Sequence, residues 1–392
     1  MSTSAQKPIS ARNGVLLQHR ESRRWGRGRL AAEFERIGRE LGLSVPSRDA
    51  MEKAIYRHET GKSHVTDDIY VRLYCAAFEC SPHDLFGGLT ESSEAGASEF
   101  FLTSNKFSPV YVGPDAVAQL ARTLAVQPTI VEQVECWSAK VDHPRGECTL
   151  YGFPWGVLTY HIQEQLSKES VADVAVWRHG SYPRELYWAD QHVKSILGPS
   201  QSGPEYIFSA FWVHTPKWKG EHLVTAMRLL CAQKTLLDHG DEEPSQPHAE
   251  LVEQAFMRDG FSDPRILEFG VSGISYGYAS WSSVTYHPLE GRRGLPQQTI
   301  VDFEIMVQSL WCFCHHIRSQ IEAGRDPEVS DEYDWRWLRG MTSRLTNARP
   351  RESAQHVALR VTILQSSELQ NHLNATLEIL KDSAERQQRD PR

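Results

Sequence analysis

A helix, a turn and a second helix are encoded in residues 25–62, which read WGRGRLAAEFERIGRELGLSVPSRDAMEKAIYRHETGK. Apolar residues recur at helical spacing between Arg29 and Leu41. Gly42 indicates the end of this first helix. Ser47 indicates the N-cap of a second helix, which runs to about Glu59. The sequence therefore predicts two helices joined by a short turn.

The two helices have the parts that a DNA-binding helix-turn-helix needs. The first helix offers small and apolar residues, Ala31, Phe34 and Ile37, for packing against the second. On the second helix, Met51 and Ile55 are predicted to be buried together with Ala54. The second helix of such a pair lies in the major groove of DNA. Its exposed side should therefore be polar and long enough to reach base edges.

The residues predicted to contact DNA are mostly long and cationic. Arg48, Glu52, Lys53 and Tyr56 are expected on the groove side of the second helix, where bidentate contacts read bases. Basic residues that flank the helix pair are expected to contact phosphates, which fixes register without reading sequence; they are Arg23, Arg24, Arg27, Arg29 and Lys62. The full predicted DNA-binding set is Arg27, Arg29, Ser47, Arg48, Glu52, Lys53, Tyr56, Arg57 and Lys62.

The segments RRWGRGRLAAEF and AIYRHETGK resemble the lambda-repressor/Cro type of helix-turn-helix, also called the xenobiotic-response-element family. In that family the recognition helix typically ends in Ile-Ser-Arg-Trp-Glu-x-Gly. Residues 55–61 read IYRHETG and match at Ile, Arg, Glu and Gly, whereas Tyr and His depart from the pattern. The ELGLSVP run at residues 40–46 is similar to the loop of long-helix variants common in actinobacterial regulators. The resemblance covers about a fifth of the chain and implies a transcriptional regulator. In the family, residues around Glu52, Lys53 and Tyr56 face the groove, and Lys62 faces a phosphate.

Charge divides the chain into a basic end and an acidic remainder. Residues 1–62 contain 13 Lys and Arg and seven Asp and Glu, a net charge of +6. The whole chain carries −8, so the remainder carries −14. A basic module joined to an acidic one places polyanion binding at the basic end. A basic amphipathic segment also suits an acidic protein partner, so a protein-interaction scaffold is the alternative function on charge alone.

The length of 392 residues predicts two or three domains. We predict a multidomain chain, in which an all-α helix-turn-helix domain precedes an α+β domain with a helical C-terminal segment. The predicted boundaries are 11–88 for the DNA-binding domain, 89–108 for a polar linker and 109–385 for the α+β domain. The α+β domain is expected to sense an effector or to dimerise.

Strands and helices are interspersed in the second domain without regular alternation. The predicted strands are Thr149–His161, Val171–Trp177, Tyr206–His214 and Ile274–Tyr286. The predicted helices are Pro114–Leu124, Glu221–Asp238, His248–Asp259, Thr299–Ala323, Asp334–Asn347 and Ser353–Ser383. The long apolar helices at 299–323 and 353–383 are a candidate dimer surface.

No catalytic motif, cofactor motif or complete metal-ligand set is present in the sequence. We therefore predict no enzyme and no cofactor, although an enzyme with an accessory helical domain stays an alternative. Cys312 and His316 would share a helix face, but two further zinc ligands at motif spacing are missing. Six other residues could take part in acid/base chemistry, but nothing in the sequence brings them together. They are His179, His192, His214, His239, Asp190 and Glu185. The tryptophans near the predicted strands suit core packing or an aromatic-lined ligand pocket.

The sequence also predicts the cellular location of the protein and its binding partners. No run approaches the roughly 18 apolar residues of a membrane helix, and the N-terminus lacks the apolar segment of a secretory signal. The seven cysteines are odd in number and scattered, which favours reduced thiols. We expect a cytoplasmic homodimer that binds double-stranded DNA, responds to a small-molecule effector and has no membrane partner.

Overall fold

The structure is a computed structural model, and its contacts divide the chain into two compact units, Met1–Ala97 and Ser98–Arg392. We call them the N-terminal unit and the sheet unit. The described residues are 13–40, 45–60, 65, 68–78, 80, 85, 99–237, 245–325, 333, 335–347 and 352–389.

Helices make up the regular structure described in the N-terminal unit. They are α1 (Asn13–Ser22), α2 (Arg27–Glu40), α3 (Arg48–Glu59) and α4 (Asp68–Phe78). The apolar residues that recur at helical spacing converge on one core. Phe34, Ile37, Met51, Ala54 and Ile55 are all buried, as the sequence predicts. The α2 and α3 bounds lie close to the predicted ones, because the periodicity there is unbroken.

A single mixed sheet organises the sheet unit. Its nine strands, counted over the described residues, run in the order β2-β3-β4-β5-β1-β6-β9-β8-β7. All neighbours pair antiparallel except β6 and β9, which pair parallel. The strands are β1 (Phe100–Tyr111), β2 (Gln127–Val131), β3 (Val134–Val141), β4 (Glu147–Phe153), β5 (Val157–Lys168), β6 (Phe208–Thr215), β7 (Leu267–Glu268), β8 (Ser275–Ala279) and β9 (Ser283–Pro288).

Helices cover both faces of this sheet. They are α5 (Pro114–Thr123), α6 (Val171–Leu197), α7 (Glu221–Cys231), α8 (Gln233–Leu237), α9 (Gln246–Asp259), α10 (Gln297–Glu322), α11 (Trp335–Thr346), α12 (Ala354–Ser366) and α13 (Leu369–Arg389). Side chains alternate along each strand. In β1, Phe107 therefore joins the core under α10, whereas Leu102 joins the core under α6 and α7. The architecture is thus a helical region followed by a mixed sheet and C-terminal helices.

Several predicted element bounds are wrong. Val171–Trp177, predicted as a strand, forms the first turns of α6, where the Ser170 hydroxyl accepts from Asp173 N. A short apolar run fits a buried helix as well as a strand. The predicted strand at 149–161 covers β4, a turn at Gly156 and β5. The predicted helix at 353–383 is two helices, broken where Glu368 adopts a φ of 54°.

The predicted linker at 89–108 is also wrong in its second half, because residues 100–108 belong to β1. Residues 89–98 lie outside the described residues. The strand escapes detection since Asn105 and Lys106, both polar, stand at its centre and are buried. The candidate dimer surface needs correction as well. Apolar residues of α10, α12 and α13, among them Leu310, Ile363 and Leu373, are buried in the core.

No helix among the described residues is both long enough and apolar enough to cross a membrane.

Candidate nucleic-acid interface

Close packing of α2 on α3 sets the geometry of the candidate interface. Leu30, Ala31 and Phe34 of α2 are completely buried, as are Met51 and Ile55 of α3. The first turn of α2 also approaches α3 closely. A Cβ at Gly28 would lie 2.9 Å from Glu52 Oε1, the end of a flexible side chain. The apolar side of α3 is therefore fully used in packing, and its opposite side faces solvent.

A buried carboxylate joins three helices at the end of α3. Glu59, whose side chain is 1% exposed, accepts from Arg20 Nε of α1 at 2.5 Å and from Arg27 Nε of α2 at 2.8 Å. Arg20 also donates to the Trp25 carbonyl oxygen at 2.6 Å. Burial, with a smaller contribution from Glu59, raises the pKa of Tyr74. Because Glu59 holds α1, α2 and α3 together, it fixes how α3 is presented.

The exposed side of α3 contains the residues predicted to read bases. Arg48, Lys53 and Tyr56 are exposed, and Glu52 is partly exposed. Glu52 Oε1 lies 3.7 Å from Arg48 Nε, and Arg48 also donates to the Gly28 carbonyl oxygen at 2.8 Å. Glu52 thus pairs with Arg48 one turn earlier along the helix. Lys53 has no acidic partner among the described residues.

The remaining predicted contacts surround this surface. Arg27 lies over the Tyr56 ring, 5.0 Å from its centroid, so its guanidinium is shared between Glu59 and the ring. Arg57 is exposed and donates to the Lys53 carbonyl oxygen. Arg29 is exposed on α2 and lies 5.8 Å from the centroid of the Trp25 ring.

Arg23 and Ser47 differ from expectation, and Lys62 cannot be compared with it. Arg23, expected at a phosphate, donates to the Phe78 carbonyl oxygen and stacks on the Phe78 ring, so it ties α1 to α4. Ser47 does precede α3, but its side chain makes no capping hydrogen bond in the described structure. Ser47 is exposed. Lys62 lies outside the described residues.

Arg20 is the residue that the sequence analysis missed. The Glu of the IYRHETG run matches the family pattern, but its partner lies 39 residues away along the chain. No local spacing reveals such a pair. The only sequence signal is the excess of arginine in residues 20–29 beside a helix that ends in Glu59.

The sheet unit contains a second ionic cluster that is closed to solvent. Lys106, 1% exposed, contacts Glu164 at 2.5 Å and Glu185 at 2.9 Å, and Glu185 also pairs with His143 at 2.6 Å. Burial alone raises the pKa of Glu185, but His143 and Lys106 outweigh it and lower the pKa to about 2. The cluster joins β1, β5 and α6, and its burial makes it part of the fold.

The other candidate histidines and acids of this unit are dispersed. His192 contacts the Tyr160 hydroxyl, His214 contacts Thr103, and Asp190 pairs with Lys194. His239 lies outside the described residues. Cys312 and Cys314 are free thiols whose pKa values burial raises to about 12. Among the described residues, no group of three or more metal-ligating side chains converges.

Comparison of the chain with protein-family models, with curated proteins and with solved structures gave no match.

Proposed function

We propose that the chain is a sequence-specific DNA-binding transcriptional regulator whose N-terminal unit acts as a lambda-repressor/Cro-type helix-turn-helix domain. The exposed side of α3 carries this proposal. Arg48, Lys53, Tyr56 and Arg57 face solvent on a helix whose other side is buried through Met51 and Ile55. A helix with one packed side and long polar and cationic side chains on the other suits insertion into a major groove.

Two kinds of contact follow from this arrangement. Lys53, which has no acidic partner among the described residues, is free to donate to a base edge. Arg29 and Arg57 flank the helix pair and are suited to phosphates, where lysine and arginine supply affinity rather than sequence preference. Because Glu59 is held by Arg20 and Arg27, the reading helix keeps one orientation before DNA binds.

The sheet unit is proposed to sense a small-molecule effector and to hold a homodimer. Dimeric helix-turn-helix proteins read two half-sites about one helical turn apart. The seven cysteines are thiols rather than disulfides. Free thiols suit a reducing compartment, which supports a cytoplasmic location as part of the same proposal.

The electrostatic part of the proposal is tested by the salt dependence of duplex binding. The full chain is titrated with a fluorescent duplex pool at several salt concentrations, and anisotropy reports the affinity. Each phosphate neutralised contributes about 0.9 to the slope of log affinity against log salt concentration. With Arg29 and Arg57 engaged on phosphates, we expect a slope of roughly −2 for each subunit.

Matched variants separate this contribution from net charge. Arg29→Gln and Arg57→Gln should each reduce the slope by about one. Arg122→Gln removes the same charge from the exposed end of α5 and should leave the slope unchanged. A flat salt dependence, or equal effects of all three variants, contradicts DNA docking through α2 and α3.

A further inference from the structure

The sheet unit contains a cavity of about 660 Å³ that the DNA-binding proposal does not use. It lies between α6, α10 and the junction of α12 with α13, beside the segment that leads into β6. Small-molecule sites typically measure about 300–1,000 Å³ and are mostly apolar with a few polar groups. The cavity has the size of such a site. Its walls include Tyr182, Leu186, Tyr206, Trp281, Trp311 and His372.

Aromatic rings from different elements form its walls. Tyr206 and Trp311 meet edge to face with centroids 5.1 Å apart, and His372 meets Trp311 at 5.4 Å. Trp281, in the turn between β8 and β9, is 65% exposed although it lines the cavity. An indole left in solvent beside other rings is a surface that a planar apolar ligand would cover.

Arg178 is the polar group that determines which ligand charge the cavity favours. Its guanidinium stacks 4.7 Å from the Tyr182 centroid and, among the described residues, donates to two neutral oxygens. These are Gln233 Oε1 at 3.3 Å and the Ser282 carbonyl oxygen at 3.1 Å. No carboxylate among the described residues pairs with Arg178. Since a guanidinium has five N–H groups in a planar fork, donors remain for a bidentate anion.

Two acids also line the cavity, but both lie at its solvent edge. The Glu205 side chain is 80% exposed, and Glu368 is exposed as well. Solvent and salt screen charges in such positions. The partly buried guanidinium of Arg178 therefore makes the inside of the cavity favour an anionic ligand.

The geometry points to a binding site for a small planar aromatic carboxylate, with its ring against the aromatic walls and its carboxylate on Arg178. This inference does not rest on DNA binding, because every residue in it belongs to the sheet unit. It assigns the chemical class of ligand that this unit would bind.

The test uses three probes of nearly equal shape on the full chain, namely naphthoate, naphthamide and naphthylmethylammonium. Calorimetry measures each affinity. We expect naphthoate to bind at least about tenfold more tightly than the amide, the effect of one charge-assisted hydrogen-bonded pair. Arg178→Gln should remove that preference and leave amide binding unchanged. Arg184→Gln, an exposed arginine on the same helix, should behave as the wild type.

A second variant keeps the test decisive if Arg178→Gln fails to fold. Trp281 is exposed, so Trp281→Ala should fold normally and weaken all three probes severalfold. The inference is overturned if the amide or the ammonium binds as tightly as naphthoate. Absence of naphthoate binding at millimolar concentration, or wild-type affinities in both Arg178→Gln and Trp281→Ala, also overturns it.

Discussion

Lysine has opposite surroundings in the two units of the chain. In the sheet unit, Lys106 is 1% exposed and lies within 3 Å of two carboxylates, those of Glu164 and Glu185. In the N-terminal unit, Lys53 is exposed on α3 and has no acidic partner among the described residues. A buried ion costs several kcal/mol unless it is paired, whereas an exposed cation costs little. The first lysine therefore serves the fold, and the second is available to a polyanion.

The same contrast holds for the acids. Glu59 of the N-terminal unit and Glu185 of the sheet unit are both buried and both contact more than one basic side chain. Glu52 is partly exposed, and its one ion pair within the described part of the chain is with Arg48 at 3.7 Å. Apart from Arg27, the residues whose buried ion pairs stabilise each unit are thus distinct from the side chains proposed to contact DNA. Mutations of the buried pairs should therefore lower stability, whereas mutations of the exposed side chains should weaken DNA binding without lowering stability.

The largest expected effect comes from removing the buried lysine. Lys106→Ala leaves two carboxylates buried beside each other and should lower the free energy of unfolding by about 3–5 kcal/mol. Urea unfolding followed by tryptophan fluorescence measures this. Ten of the eleven tryptophans belong to the sheet unit, so the signal reports that unit.

Lys53→Ala is the matched control, because it removes the same side chain from an exposed helix position. Its free energy of unfolding should stay within about 0.5 kcal/mol of the wild type. If the two variants have similar stabilities, the distinction between fold-serving and available lysines does not hold.

A smaller effect is expected for a buried acid that pairs with no cation among the residues that the structure describes. Glu304 on α10 is fully buried and accepts from Gln308 Nε2 at 3.1 Å, and burial raises its pKa to about 8. The folded state keeps this proton above the pH at which the unfolded state loses it. The stabilisation is thus complete below about pH 4.5 and is lost as pH rises to about 8. The free energy of unfolding of the wild type, taken relative to that of Glu304→Gln, should therefore fall by roughly 3 kcal/mol between pH 5 and pH 8.

Glu322→Gln on the same helix serves as the reference for ordinary acids. Glu322 is 71% exposed, so its substitution should leave the pH profile unchanged. Parallel profiles for the wild type and Glu304→Gln would show that Glu304 is ionised in the folded protein.

Local patterns could be predicted from the sequence, and distant pairings could not. The periodicity of α2 and α3 placed Phe34, Met51 and Ile55 in the core, because each helix has one apolar side. In β1, buried Asn105 and Lys106 interrupt the apolar pattern. Their burial is possible only because partners arrive from distant segments, and no local signal reports those partners.

The candidate sites divide in the same way. The exposed side of α3 follows from helical spacing alone, so Arg48, Lys53 and Tyr56 are exposed where the sequence placed them. Arg20 gains its role from a tertiary contact with Glu59, and Arg178 gains its role from its donation to the distant Ser282 carbonyl oxygen. Spacing along the chain carries no information on either contact.

The most direct test of the central claim compares two cations of the proposed interface, Lys53 on the groove side of α3 and Arg29 on α2. DNA retained by the full chain from a random duplex pool is sequenced for the wild type and for each alanine variant. The wild type should enrich one motif. Lys53→Ala should relax preference at one position of it, at a cost of about 1–3 kcal/mol on the preferred site, whereas Arg29→Ala should weaken all sequences equally. Absence of an enriched motif, or the same uniform loss in both variants, would contradict base reading by α3.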